Sequence, residues 1–232
     1  YSIPNAAWAL AVVALIVVGA AGFFAGSRSA SFNGVSTVNM AGVAPGKGEI
    51  APVPGPNGSF DASIYGPKAG AQLKSPEDMD NVHRRNENDP FALGAVDAPV
   101  VISIYSDFEC PFCAKFANET EPALVEKYVN EGLVRLEWND MAINGEKAIK
   151  DAEAGRAAAA QGKFWEFSRA LFKKAGEKGQ GHPEFTEKEL IAVAREAGVP
   201  DMKRFEKELK DGKWTEAVEN ATQFGSMLGI SG

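Results

Sequence analysis

Val100-Val101-Ile102-Ser103-Ile104-Tyr105-Ser106-Asp107-Phe108-Glu109-Cys110-Pro111-Phe112-Cys113 decides the fold of this 232-residue chain. The run from Val100 to Tyr105 is rich in β-branched apolar residues and reads as a buried strand. A helix-like stretch from about Pro111 to Asn130 follows. A C-x-x-C therefore sits where a strand turns into a helix. Amide groups at a helix N-terminus stabilise an anion, so Cys110 is the expected nucleophile. Cys113, one turn further on, is placed to attack a mixed disulfide formed at Cys110. The chain has only these two cysteines, so no structural disulfide competes for either.

Working outward, Leu133 to Trp138 alternates as a second strand, and Gly132 ends the helix before it. After Gly145 the pattern is helical almost throughout. Glu146 to Gln161 is Ala-rich, and Lys163 to Lys174 carries Phe164, Phe167 and Leu171 on one face. Thr186-Glu187-Lys188-Glu189 is a capping box that opens a helix stopping at Gly198. Asp201 caps another helix, and Trp214 to Leu228 forms the last amphipathic stretch. These aromatic stripes read as helix packing. Gly176, Gly179 and Gly181 lack the Lys-Ser/Thr of a phosphate loop and read as a turn.

The N-terminal part has a different character. Ala6 to Phe24 is almost wholly apolar, and residues 1–27 carry no charge. About 20 helical residues span a hydrocarbon core of ~30 Å, whereas the apolar core of a signal peptide is ~7–15 residues. Residues 1–27 are therefore expected to be a transmembrane anchor, crossing the lipid bilayer through residues 6–25. Residues 28–74 hold eight glycines and five prolines and read as a linker. An ordered linker of this kind needs a surface, either its own domain or a neighbouring membrane complex, and we expect the neighbour. Ser75-Pro76-Glu77-Asp78 then starts a short helix, with Ser at N-cap and Pro at N1. Residues 75–232 form the folded domain.

Composition excludes several functions. Net charge is −7 with a pI near 5.0 and no long basic run, so no nucleic-acid partner is expected. His83 and His182 lie far apart in sequence. With two cysteines they complete no four-ligand zinc site, so neither a metal nor a cofactor is expected.

The motifs carry a family resemblance. A strand feeding a C-x-x-C at a helix start is the thioredoxin arrangement. Asp97-Ala98-Pro99-Val100-Val101, Tyr105 to Phe116, Gln161-Gly162-Lys163-Phe164-Trp165-Glu166-Phe167 and Gly229-Ile230-Ser231-Gly232 resemble the DsbA family of thiol–disulfide oxidoreductases. The closest resemblance is to membrane-anchored extracytoplasmic members from actinobacteria. It covers about Asp89 to Gly232. It implies an α/β, thioredoxin-like fold with a helical insertion between its second and third strands. It also implies that a cis-proline loop, two strands and a helix come after Gly232. The C-terminal part of the fold is thus expected to be missing from this chain, leaving a two-stranded remnant. Ile104 departs from the family, in which many relatives carry a buried Glu at this position.

The resemblance implies Cys110 and Cys113 as the catalytic, redox-active pair, with Glu109, Pro111 and Phe112 as motif neighbours. Pro-Phe between the cysteines resembles the oxidising members. The expected function is membrane-anchored oxidation of protein thiols on the extracytoplasmic side of the cell membrane, served by a membrane redox partner. The alternative is an accessory subunit of a membrane protein complex, such as a respiratory complex, that uses the thioredoxin-like domain as a binding module. Glu109 would oppose ionisation of Cys110 if it pointed at the sulfur.

Overall fold

A computed structural model of the chain describes residues 42–67, 71, 73–179 and 181–231. The expected transmembrane anchor lies outside the described residues, as does the linker up to residue 41. Among the described residues, no helix is long and apolar enough to cross a membrane.

The sheet has three strands, β1 (Ala92–Leu93), β2 (Val100–Ser106) and β3 (Val134–Asp140), in the order β1-β3-β2. β2 runs parallel to β3, with Val100 opposite Val134 and Ser106 opposite Asp140. The parallel pair needs a crossover, and residues 111–129 supply it as helix. β1 is antiparallel to β3, with Ala92 opposite Glu137. The two-stranded sheet expected from the sequence therefore gains a strand. Two residues are too short to show a period, so β1 exists only through its partner.

The crossover starts as α1 (Pro111–Lys115), widens into a π turn at Phe116–Thr120, and returns to α-helix in α2 (Glu121–Leu124). A second π turn follows at Val125–Val129. Pro122 has no N–H to offer the carbonyl four residues back, and the Glu121 amide instead bonds Phe116 O. Five helices then follow β3: α3 (Glu146–Ala159), α4 (Phe164–Glu177), α5 (Glu187–Glu196), α6 (Met202–Lys210) and α7 (Thr215–Met227). The Thr186 capping box forms as the sequence implies: Thr186 Oγ1 accepts from Glu189 N, and Thr186 N donates to Glu189 Oε2.

β3 is buried along its whole length. Its apolar face, Val134, Leu136 and Trp138, joins the core with Phe164, Phe167, Leu171 and Phe172 of α4. Its polar face is covered by residues 84–89. Arg84 donates to Asp89, to Asn139 Oδ1 and to the Trp138 carbonyl. Glu137 accepts from the amides of Arg84 and Arg85 and from Arg135. Arg135 also donates to the carbonyls of Gly94 and Asn86. A charged strand face is thus buried at tolerable cost because each charge is bonded. Arg85 takes φ +41°, unusual for a side-chain residue. Its amide on Glu137 and its guanidinium on Val96 O and Ala98 O hold it there.

Residues 43–66 lie along this same domain. Gly46 N donates to Gly132 O, the Lys47 and Gly48 amides donate to Asp97, and Gly94 N donates to Ile50 O. Fully buried Arg156 of α3 binds the carbonyls of Ala62 and Ile64, and it also bonds Asp140. The surface expected to come from a neighbour is, for this part of the linker, the chain's own domain.

Candidate active site

Phe108 anchors the loop that carries the cysteines. Its ring is 1% exposed and stacks on Trp138, with centroids 5.1 Å apart, and it meets Phe172 at 4.9 Å. Gly155 of α3 gives that ring room, because a Cβ there would stand 3.2 Å from Phe108 Cε2. One residue earlier, Asp107 turns its carboxylate inward. It accepts from Glu109 N, Ile143 N, Asn144 N and Asn144 Nδ2, all at 2.8–3.1 Å. The Asp107 carbonyl accepts from Cys110 N. The turn leading into the C-x-x-C is therefore tied at both ends.

Cys110 is the N-cap of α1, with extended backbone, and Pro111 occupies the first turn. Its sulfur accepts a hydrogen bond from Cys113 N at 3.4 Å, so the open end of the helix points at Cys110 Sγ. Both cysteines are partly exposed and present as free thiols. Cys113 packs against the core. Burial pushes the Cys113 thiol up from its usual range, although the Asp107 amide and the Ser106 hydroxyl both favour its thiolate. Phe112, 80% exposed, projects beside the pair. A groove of about 650 Å³ runs from Pro111 and Phe112 past Lys115 and Asn118 to Gly176 and Gly179. A larger cleft, about 840 Å³, is lined by Tyr65, Arg85, Asn88 and Phe224 and includes none of the site residues.

The five residues singled out in the sequence are contiguous and stay together in the fold. Glu109 is 2% exposed, turned into the protein, and its Oε1 has no hydrogen-bond partner. Two further residues come to the site from the helical part. His182 Nδ1 lies 3.1 Å from the Glu109 carbonyl. A carbonyl only accepts, so Nδ1 carries the proton. Asp151 of α3 is fully buried, with neither carboxyl oxygen bonded. No sequence signal marked either residue: Asp151 sits in an Ala-rich helix with other acids, and His182 in a Gly-rich turn. Among the described residues, no group of three or more His, Cys, Asp and Glu side chains is arranged to hold a metal ion.

The thioredoxin family model matches residues 86–232, which include the site. The model for the DsbA N-terminal domain matches residues 25–82, ahead of the C-x-x-C. A protein of Bacillus cereus named "Probable disulfide bond formation protein D" is 29% identical over 145 residues, 61% of this chain and 66% of that protein. A Salinispora tropica protein named "Na(+)/H(+) antiporter NhaA 3" is 30% identical over 162 residues, 69% of this chain and 22% of that protein. The chain thus spans just under two thirds of the Bacillus relative and about a fifth of the antiporter. Among solved structures, oxidised BdbD from Bacillus subtilis superposes with a TM-score of 0.58 at 19% identity, covering 72% of this chain and 81% of that one. Wolbachia pipientis α-DsbA1 gives 0.53 at 20% identity, with 61% and 70% covered. With its C-x-x-C capping a helix behind a parallel strand pair and its helices inserted after β3, the chain belongs to the thioredoxin family, in its DsbA-like branch.

Proposed function

We propose that the protein oxidises protein thiols by disulfide exchange at Cys110–Cys113, on the extracytoplasmic side of a membrane to which residues 6–25 anchor it. The observation that carries the reading is the position of Cys110 Sγ, which receives the Cys113 N–H at the open end of α1 while Cys113 packs inward. In the oxidised form a substrate thiolate attacks Cys110 Sγ. The Cys110–Cys113 bond breaks, and Cys113 leaves as a thiolate and takes up a proton. A second substrate thiolate then attacks the substrate sulfur of the mixed disulfide and releases Cys110. The substrate gains a disulfide and loses two electrons, which the enzyme holds as a dithiol. A membrane partner that supplies an oxidising disulfide returns it to the starting state.

Two further points support the oxidising direction: the Pro-Phe dipeptide between the cysteines and the name of the Bacillus cereus relative. The accessory-subunit alternative rests on the apolar anchor, on Ile104 where many relatives carry an acid, and on an ordered linker that needs a neighbour's surface. Residues 43–66 find that surface on their own domain, so the alternative loses that support.

The test uses single serine variants. Neither Cys110→Ser nor Cys113→Ser can form the redox disulfide, so both fail to oxidise a dithiol peptide. Given a peptide whose single thiol is activated as a disulfide with a small leaving thiol, Cys113→Ser displaces that thiol and keeps the mixed disulfide, while Cys110→Ser does not. Full activity in both variants would overturn the proposal.

A further inference from the structure

A polypeptide thiol that attacks Cys110 Sγ brings its neighbouring residues down on the surface around that sulfur. Pro111, peptide-bonded to Cys110, and Phe112 form one end of a groove of about 650 Å³. From them it runs along the crossover, past Lys115, Asn118 and Glu119. The opposite wall is the end of α4, where Ala175 and Gly176 present no side chain larger than a methyl. The two walls are joined. Asn118 Nδ2 donates to the Phe172 carbonyl of α4 at 2.8 Å. A Cβ at Gly176 would stand 3.1 Å from that Nδ2, so glycine leaves the bond room. At Gly179, just past α4, a Cβ would meet nothing within 4 Å, and the groove stays open there.

The π turn at Phe116–Thr120 carries Asn118 and Glu119, and such turns often mark functional sites. Lys115 and Glu119 are both exposed, and neither side chain has an ion-pair partner among the described residues. They stand in order along the groove, the cation nearer the sulfur and the anion farther away. At a rise of ~1.5 Å per helical residue, Lys115 lies ~6 Å and Glu119 ~12 Å beyond Pro111. At ~3.3 Å per residue, an extended chain covers those distances in about two and about four residues.

We propose that this groove seats the polypeptide flanking the substrate's cysteine, and that Lys115 and Glu119 select it by charge. The segment that fits is extended, with an acidic residue about two positions and a basic one about four positions from its cysteine. Pro111, Phe112 and Ala114, the apolar end, take the residue next to that cysteine. The inference rests on the exchange reading above and names the substrate that reading leaves open. Attack on Cys110 places the substrate sulfur at the mouth of the groove, so these contacts hold the reacting chain in place. Each exposed pair adds little, and two of them shift relative rates by about 2- to 10-fold at low salt. A small thiol has no flanking chain and gains nothing.

The experiment compares two peptides of one composition, Lys-Ala-Asp-Ala-Cys-Ala-Asp-Ala-Lys and Asp-Ala-Lys-Ala-Cys-Ala-Lys-Ala-Asp. Both are symmetric about the cysteine, so the direction of the chain in the groove does not matter. The readout is the rate at which each reduces the oxidised full chain, with dithiothreitol as the reference. The variant combines Lys115→Glu with Glu119→Lys, which exchanges two exposed charges and keeps the net charge. Each peptide's own thiol reactivity cancels when the rate ratio is compared between wild type and variant. The ratio, first peptide over second, should drop at least about fourfold in the variant at low salt, and by less in high salt. An equal ratio in the two proteins would overturn the inference. Should the double variant fail to fold, Glu119→Gln removes the outer charge alone, and an unchanged ratio there would also overturn it. A wild type that neither dithiothreitol nor either peptide reduces sinks the exchange reading. A wild type that all three reduce, at a peptide ratio the variant shares, sinks the groove alone.

Discussion

Behind the sheet, Arg84, Asp89, Arg135, Glu137 and Asn139 are buried and bonded to one another; in the loop before the cysteines and in α3, Glu109 Oε1 and both Asp151 carboxyl oxygens are as deeply buried and lack such partners. The first region costs little to bury because the charges compensate one another, and its work is to fasten residues 84–89 and the arm to the sheet. The second stores a cost that nothing nearby relieves. Unsatisfied buried acids are rare in native proteins, and they cluster where chemistry needs a shifted titration. Burial alone therefore separates neither region from the other. Satisfaction does.

The largest effect should come from breaking the bonded region. Arg84→Met leaves Asp89 without its cation and removes a compensating charge from Glu137, so a loss of about 3–5 kcal/mol is expected in urea unfolding. A loss well under that would mean the layer relaxes or hydrates, and the contrast with Asp151 would shrink.

The two regions should also fail at opposite ends of the pH scale. Burial raises Glu137, but Arg84 and Arg135 outweigh it and hold the carboxyl below its usual range. A depressed carboxyl contributes stability above its unfolded value of about 4.3 and loses it as pH falls through the folded value. Asp151 is raised, so its contribution is complete below its unfolded value of about 3.9 and is lost as pH rises towards 9. Asp151→Asn should flatten the loss between about pH 4 and pH 9 in a denaturation series and leave the limb below pH 4 alone. An unaltered slope across that window would place Asp151 with the satisfied charges.

The smallest effect calibrates the scale. Arg195 and Glu206 pair at 2.8 Å with side chains 63% and 41% exposed. Arg195→Ala should cost roughly 0.2–1 kcal/mol, and less in high salt. A cost near that of Arg84→Met would show that pairing rather than burial governs charge energetics in this protein.

Much of the fold was legible because it is written locally. The strand–C-x-x-C–helix order, the Thr186 capping box and the glycines at 132 and 198, both with positive φ, depend on residues close in sequence. The cysteine pair was legible for the same reason. Alternation along β3 marked two faces, and only residues 84–89 laid over Arg135 and Glu137 show that the polar one is buried too.

By itself, the sequence determined where the thiols are, which helix they cap and which stretches turn helical. Those outcomes follow from nearest-neighbour hydrogen bonding, chain stiffness and apolar spacing. The tertiary structure alone decided that Glu109 turns inward, that Asp151 arrives beside it from a helix some forty residues on, and that His182 reaches the Glu109 carbonyl. A carboxyl group becomes chemically unusual only when water is removed from it and donors are withheld. Both conditions are set by what the rest of the chain packs against it.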